Sequence, residues 1–395
     1  MGQVDRRQLL RLFGAAATAG AAAAALAACG GSASGSKEQI SGRRVRVGLL
    51  APKDGPYAAI GADITDGFKL YLDEHRNVLG RHPVELIIAD EGTTVDAARK
   101  ATEGLLAQQV HVIAGVASPA ALSGIRDLVE KARVPLIGAN GSPGDLTSVY
   151  YIWRASYADG QASTALGDYL ADQGRYRRAY VLHDGTSQGL AEADAFRRAF
   201  SSTGRTIVGQ AAGTGSYSAR LQGAAGTSAE IIYCAYSGDA AWQLLKAYAG
   251  TGLTKPLVGP GMLTEIRDLT KLAKDLKRLP EVYTAMNYTP DLQLAANRRF
   301  AAAYSNATGV QPTAYAMAAY DTAGVLDNAL RLISDDITAM EVNRGISALG
   351  EIQSPRGTWT FNNTRTPQQK WYLRKLELSG QVPANLITAE LATLS

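Results

Sequence analysis

Short apolar runs alternate with amphipathic stretches along most of this chain, and that alternation constrains the fold more than any other feature. Val45 to Leu50 is a β-rich apolar run, and a helical stretch follows from Ala58 to His75. Val84 to Ala89 is a second run, ending at Asp90. From Thr94 to Gln108 the residues Val95, Ala98, Ala101, Leu105 and Leu106 repeat at helical spacing. Val110 to Ala114, a helix through Leu122, Ile125, Leu128 and Val129, and then Val134 to Ile137 continue the series. Strands that are apolar throughout, separated by such helices, predict a parallel sheet covered on both faces. Right-handed crossovers make that a doubly wound α/β lobe.

The alternation restarts after Trp153. Helices are predicted at Gln161 to Ala171, Leu190 to Phe200 and Asp239 to Ala249. Strands are predicted at Ala179 to Leu182, Thr206 to Gln210, Glu230 to Ala235, Pro256 to Gly259 and Glu281 to Met286. A second α/β lobe follows. Open sheets of this kind bind ligands at the carboxyl ends of their strands, so two facing edges predict a cleft.

Other signals surround this core. Residues 1–28 carry Arg6, Arg7 and Arg11 and then an alanine-rich apolar stretch, the layout of a signal peptide. It ends in Leu26-Ala27-Ala28-Cys29, a bacterial lipobox, which makes Cys29 the expected lipid-bearing residue. Asp5 to Arg11 also resembles the twin-arginine export motif, so the export route stays open. Residues 29–42 form a Gly/Ser-rich tether. With Cys29 acylated, Cys234, the other of two cysteines, has no disulfide partner. It lies in an apolar run that predicts a buried, inert thiol. The formal net charge of +4 over 395 residues argues against nucleic acid as a partner. Arg175, Arg177 and Arg178 read as a solvated turn. Four scattered histidines predict no metal site, and no cofactor is expected.

One motif points elsewhere. Gly185-Thr186-Ser187-Gln188-Gly189 is a G-x-S-x-G after a strand and before a helix, the setting of a hydrolase nucleophile. A triad needs a histidine, which in α/β-hydrolases follows the serine. His75, His82, His111 and His183 all precede Ser187. The expectation is therefore that the protein is not an enzyme.

The ordered series of segments carries a resemblance. "GLLAPKDGPYAAIGADITDGFKL" (48–70), "VLGRHPVELIIADEGTTVDAARKA" (78–101), "VHVIAG" (110–115), "VPLIGANGSPGDLT" (134–147), "AYVLHDG" (179–185), "AYDTAGVL" (319–326) and "PRGTWTF" (355–361) resemble the branched-chain amino-acid-binding proteins of bacterial ABC importers. The resemblance implies a type I periplasmic-binding-protein fold, two lobes joined by three hinge crossovers. It assigns residues 43–154 and 287–357 to the first lobe, and 155–286 and 358–395 to the second, with a C-terminal strand at Gln369 to Leu378. Hinges fall near Arg154 to Ser156, Ala285 to Asn287 and Gly357 to Thr358. It implies a monomeric, lipid-anchored, extracytoplasmic binder that delivers a small organic solute to an ABC permease and its ATPase. The alternative is a sensory ligand-binding protein reporting to a signalling partner.

The resemblance also marks site positions. A solute carboxylate is expected on the loops at Ser118-Pro119 and Asn140-Gly141-Ser142, where a helix N-terminus and a glycine offer backbone donors. Ser118 also reads as an N-cap with Pro119 at the first helical position. Gln188 holds a position often occupied by tyrosine, and Ile60 one that is often aromatic. The acid that meets a ligand ammonium in this family falls on Gly261 here; Asp159 is a candidate substitute and reads equally as a cap for the helix that starts at Gln161. Tyr57, Tyr157, Tyr236 and Tyr320 are candidate aromatic walls, and Ser237 completes the set. The expected solutes are branched-chain or other hydrophobic amino acids, related carboxylates, and amides or urea.

Overall fold

A computed structural model describes residues 43–144, 146, 148–201, 204–275, 281–333 and 337–394. Cys29, the signal peptide and the tether lie outside the described residues. The first sheet runs in the order β2-β3-β1-β4-β5-β6. Its strands are β1 (Val45–Ala51), β2 (Val78–Leu79), β3 (His82–Asp90), β4 (Val112–Gly115), β5 (Leu136–Gly138) and β6 (Ile152–Arg154). Pairing is parallel except for the small β2–β3 hairpin. Strand β1 shows why a continuous apolar run suits this position. Val45, Val47, Leu49 and Ala51 pack into one core, and Leu50 into the core on the opposite face. Helix α1 (Ala58–Glu74) contributes to the first of these cores, and α2 (Val95–Ala107) and α3 (Pro119–Ala132) to the second.

The chain then crosses to a second sheet through α4 (Gln161–Gln173). Strands β7 (Arg178–His183), β8 (Thr206–Ala212), β9 (Ile231–Ala235), β10 (Leu257–Pro260) and β11 (Val282–Met286) are mutually parallel where they pair. Helix α5 (Ser187–Ser201) joins α4 on one face, and α6 (Tyr217–Ala225) and α7 (Gly238–Thr251) cover the other. After β11 the chain forms α8 (Ala295–Thr308), α9 (Ala314–Arg331) and α10 (Ala339–Ser347). Residues of α9 and α10 complete the core beneath the first sheet. The chain then returns to the second sheet as β12 (Thr360–Phe361), β13 (Pro367–Ser379) and β14 (Val382–Leu394). The second sheet reads β12-β13-β11-β10-β9-β7-β8, with β14 on β13. The expected C-terminal strand is therefore the first arm of a long antiparallel hairpin. Each sheet with its helices forms a lobe.

The three crossings meet at one side chain. Gln369 donates through Nε2 to the Ser156 carbonyl at 2.7 Å. Its Oε1 accepts from Asn287 Nδ2 at 2.8 Å and from an Arg356 guanidinium nitrogen at 2.7 Å. Ser156, Asn287 and Arg356 lie on the first, second and third crossings. Arg356 is itself buried against Asp321 at 3.2 Å and lies over the Trp359 ring.

A second buried cation ties β13 to α9. Arg374 donates to Glu265 Oε1 at 2.5 Å and to the Tyr288 carbonyl at 2.8 Å. The other Glu265 oxygen accepts from the Ala314 N–H at the start of α9. Arg374→Met would strand a carboxylate that is only 7% exposed. Loss of one partner of a buried pair costs about 3–5 kcal/mol. Denaturant unfolding should show a loss of that size, and a change under about 1 kcal/mol would refute this role.

Candidate ligand-binding cleft

Parallel strands all deliver their following loops to one edge, and the two lobes bring those edges into contact. Tyr57, after β1, is hydrogen-bonded to the side chain of Ser237, after β9. A Cβ at Gly238 would lie 2.4 Å from the Pro56 carbonyl oxygen, so only glycine, here at φ +54°, admits this approach. A Cβ at Gly141, after β5, would lie 2.3 Å from Gln188 Nε2, 2.7 Å from Asp159 Oδ1 and 2.9 Å from the Tyr157 ring. The amide head of Gln188, in the first turn of α5, thus rests on the backbone of the opposite lobe.

The expected donors for a carboxylate are arranged differently from the sequence reading. Glu91, directly after β3, places its own carboxylate on them. Its two oxygens accept from the Ala117 and Ser118 N–H groups at 2.7 and 2.8 Å. The Gly141 N–H donates to Asn140 Oδ1 at 2.6 Å, and the Ser142 N–H to the Tyr157 carbonyl at 3.0 Å. Asn140 Nδ2 holds the Ala117 carbonyl. These backbone donors are committed within the chain, so a solute anion would have to draw on hydroxyl groups such as those of Tyr57, Ser118 and Ser237. Burial pushes Glu91 up to about 7, against the pull of its two N–H donors. Burial also raises Tyr57, the Ser237 bond opposes this, and the charges of Asp184, Asp159 and Glu91 add to the rise.

The structure brings together Tyr57, Ser237, Asn140, Gly141, Tyr157, Asp159 and Gln188, with Ser118 one loop away. Ser118 caps α3, its Oγ accepting from the Ala121 N–H at 3.3 Å, and Pro119 is the buried first residue of that helix. Other candidates face elsewhere. Ser142 Oγ accepts from Arg154 Nε at 2.8 Å, inside the first lobe. Ile60 packs into the core beneath the first sheet. Tyr236 follows β9 on the α6–α7 side, and its hydroxyl donates to the Gly213 carbonyl. Gly261 backs onto Met286, whose sulfur would be 2.4 Å from a Cβ there, so the site offers no room for the family's acid. Tyr320 lies on α9, where it donates to Glu74 and packs edge-on to Tyr71. The sequence reading did not single out Glu91 or Asp184. Glu91 and Asp184 each immediately follow a strand, and that position was the available signal.

The G-x-S-x-G loop has a structural account. Gly185, at φ +87°, allows a turn in which Asp184 Oδ1 accepts from the Thr186 N–H and hydroxyl at 2.9 and 2.6 Å. Ser187 is exposed in the first turn of α5, and His183 Nδ1 has no partner. Nucleophile and base are not coupled. Cys234 is a buried free thiol that burial holds well above its ordinary value. Among the described residues no cluster of His, Cys, Asp or Glu is placed to hold a metal, and no helix is long and apolar enough to cross a membrane.

A cavity of about 90 Å³ lies beside Tyr57, Glu91 and Ser118. A larger one, about 650 Å³, opens between Thr264–Thr270, the α8–α9 connection and the β13–β14 turn. The first lies on the loops that follow β1, β3 and β4, at the edge where α/β sheets bind ligands, and next to the contact between the two lobes; it marks the candidate site.

A family model described as periplasmic binding protein matches residues 44–381. The chain is 27% identical over 353 residues to Leu/Ile/Val-binding protein homolog 6 of Brucella abortus, covering 84% of this chain and 87% of the relative. A solute-binding protein of an ABC transporter from Rhodopseudomonas palustris BisB5, solved with 3,4-dihydroxybenzoic acid, superposes with TM-score 0.83 at 24% identity, over 89% of this chain and 98% of that one. Another R. palustris solute-binding protein, solved with benzoate, gives TM-score 0.80 at 25% identity, over 89% and 97%.

Glu91 gives the cleft a pH signature. Its folded value, about 7, exceeds the ordinary 4.5. Between those limits the folded chain holds more protons than the unfolded one, so stability falls as pH rises through that window. Glu91→Gln cannot titrate. Its stability relative to the native chain should rise between pH 4.5 and 7.5 in denaturant titrations. Parallel pH profiles would refute the assignment.

Proposed function

Since this chain belongs to the periplasmic binding protein family, we propose that it is the extracytoplasmic solute-binding component of an ABC importer. It captures a small organic solute, a hydrophobic amino acid or a related carboxylate or amide, without chemical conversion. The observation that carries this reading is the pair of opposed strand-end edges, touching through Tyr57–Ser237 and Gly141–Gln188, with all three crossings gathered at Gln369. Relatives named for Leu, Ile and Val binding or solved with benzoate support the solute class.

Capture follows from closure. Contacts on both lobes are completed only when the edges meet, so a bridging solute favours the closed state by its differential affinity. The permease then reads the closed face. Asp159 is the acid available to an ammonium, because Met286 fills the space beside Gly261. The same reading takes Tyr57, Ser118, Ser237 and Gln188 as the polar contacts and Tyr157 as an apolar wall.

A bound solute should make the particle more compact in small-angle scattering. It should also stabilise the fold by about 2.7 kcal/mol at a hundredfold excess over Kd. A solute that binds tightly while the scattering curve stays unchanged would exclude closure. The anchor is tested separately: Cys29→Ser should abolish lipid labelling and release the protein from the membrane fraction, and a variant still labelled would remove Cys29 from that role.

A further inference from the structure

The reading of the cleft as a solute site leaves open which chemical group the second lobe recognises, and one buried atom bears on it. Gln188 Nε2 donates to Asp159 Oδ1 at 3.1 Å. With Nε2 directed at the Asp159 carboxylate, the amide has its nitrogen towards Asp159 and its oxygen away. That oxygen, Oε1, is buried and has no hydrogen-bond partner, on a residue that is 1% exposed. A buried acceptor left unpaired is costly, and such atoms in folded proteins call for an explanation. The amide lies over Gly141 of the first lobe, beside Tyr157, at the contact between the two edges. The Asp159 carboxylate bonded to the same amide makes this a poor place for another anion and a good one for a donor.

We propose that Gln188 is a specificity-determining residue whose Oε1 accepts a hydrogen bond from a hydroxyl or N–H group of the solute, with Asp159 as the positioning residue that fixes the amide's orientation. The selected class is a small solute bearing a hydrogen-bond donor at the end that meets Gln188. This rests on the proposed function and narrows it. A solute lacking the donor leaves Oε1 unpaired in the closed cleft. Sites built around a polar partner reject analogues that lack it more strongly than apolar pockets reject a missing methylene.

Calorimetric titration of two matched pairs tests this: 4-hydroxybenzoate against benzoate, and leucine against 4-methylpentanoate. The donor-bearing member of at least one pair should bind at least tenfold tighter. Gln188→Met should reduce that ratio to within about threefold by weakening the donor-bearing member, and Gln188→Leu serves if the methionine variant fails to fold. Asp159→Asn keeps the side chain's size but can donate or accept, which frees the amide to turn. In the 4-hydroxybenzoate and benzoate pair, which offers Asp159 no ammonium, the ratio should fall there too, whereas a merely structural role would weaken both members equally. Equal affinity within both pairs, or a ratio that survives the Gln188 variants, overturns the assignment while leaving the solute-binding function intact. If none of the four binds at millimolar concentration, both the solute class and this inference fail.

Discussion

Parallel pairing is the constraint on which the rest of the molecule depends. It sends every strand of a lobe in one direction, so the following loops collect at one edge. Two such lobes set edge to edge bring backbone carbonyls, helix starts and short polar loops face to face, as Pro56 meets Gly238 and Gly141 meets Gln188. Side chains larger than hydrogen at the two glycines would hold the edges apart. The close seam is therefore a property of the loops, made possible by strands whose apolar residues serve cores on both faces.

The elements were largely legible because continuous apolar runs and 3.6-residue periodicity are local signals. Helix α5 begins at Ser187 rather than Leu190 because the Asp184–Thr186 turn, not the first apolar residue, starts it. Strand β14 was missed because its partner is β13, and its alternating residues 382–394 are only partly buried. The interleaving of the lobes came from the resemblance. Its physical basis, one glutamine bonded to all three crossings, joins residues 13, 82 and 213 positions apart and has no local signature.

The site was legible to the loop and not to the atom. Reading along the chain placed Ser118, Asn140, Ser142, Gln188 and Ser237 at strand ends. It could not show that Ser142 turns back to Arg154, that Tyr236 faces the α6–α7 core, or that Tyr320 bonds to Glu74. Side-chain direction depends on which neighbour is packed against each loop. Glu91 is the instructive case. A helix start is an anion seat by virtue of its free N–H groups. Whether a solute or the chain's own carboxylate takes that seat depends on a residue 27 positions away in sequence from Ser118.

The same reasoning explains why a hydrolase-like motif can serve a binding protein. In a nucleophile elbow, a tight glycine turn lifts a serine off the end of a strand. Here the turn is equally tight, stabilised by Asp184 and opened by Gly185. Its effect falls one residue later, on Gln188, whose side chain is buried between the lobes while Ser187 points to solvent. Without a coupled histidine, the loop's remaining resource is hydrogen bonding. An amide oriented by a carboxylate presents a fixed acceptor and cannot turn to suit an anion. A tight turn, a cross-lobe contact and a fixed polarity thus arise from one seven-residue segment, and together they suit recognition rather than bond cleavage.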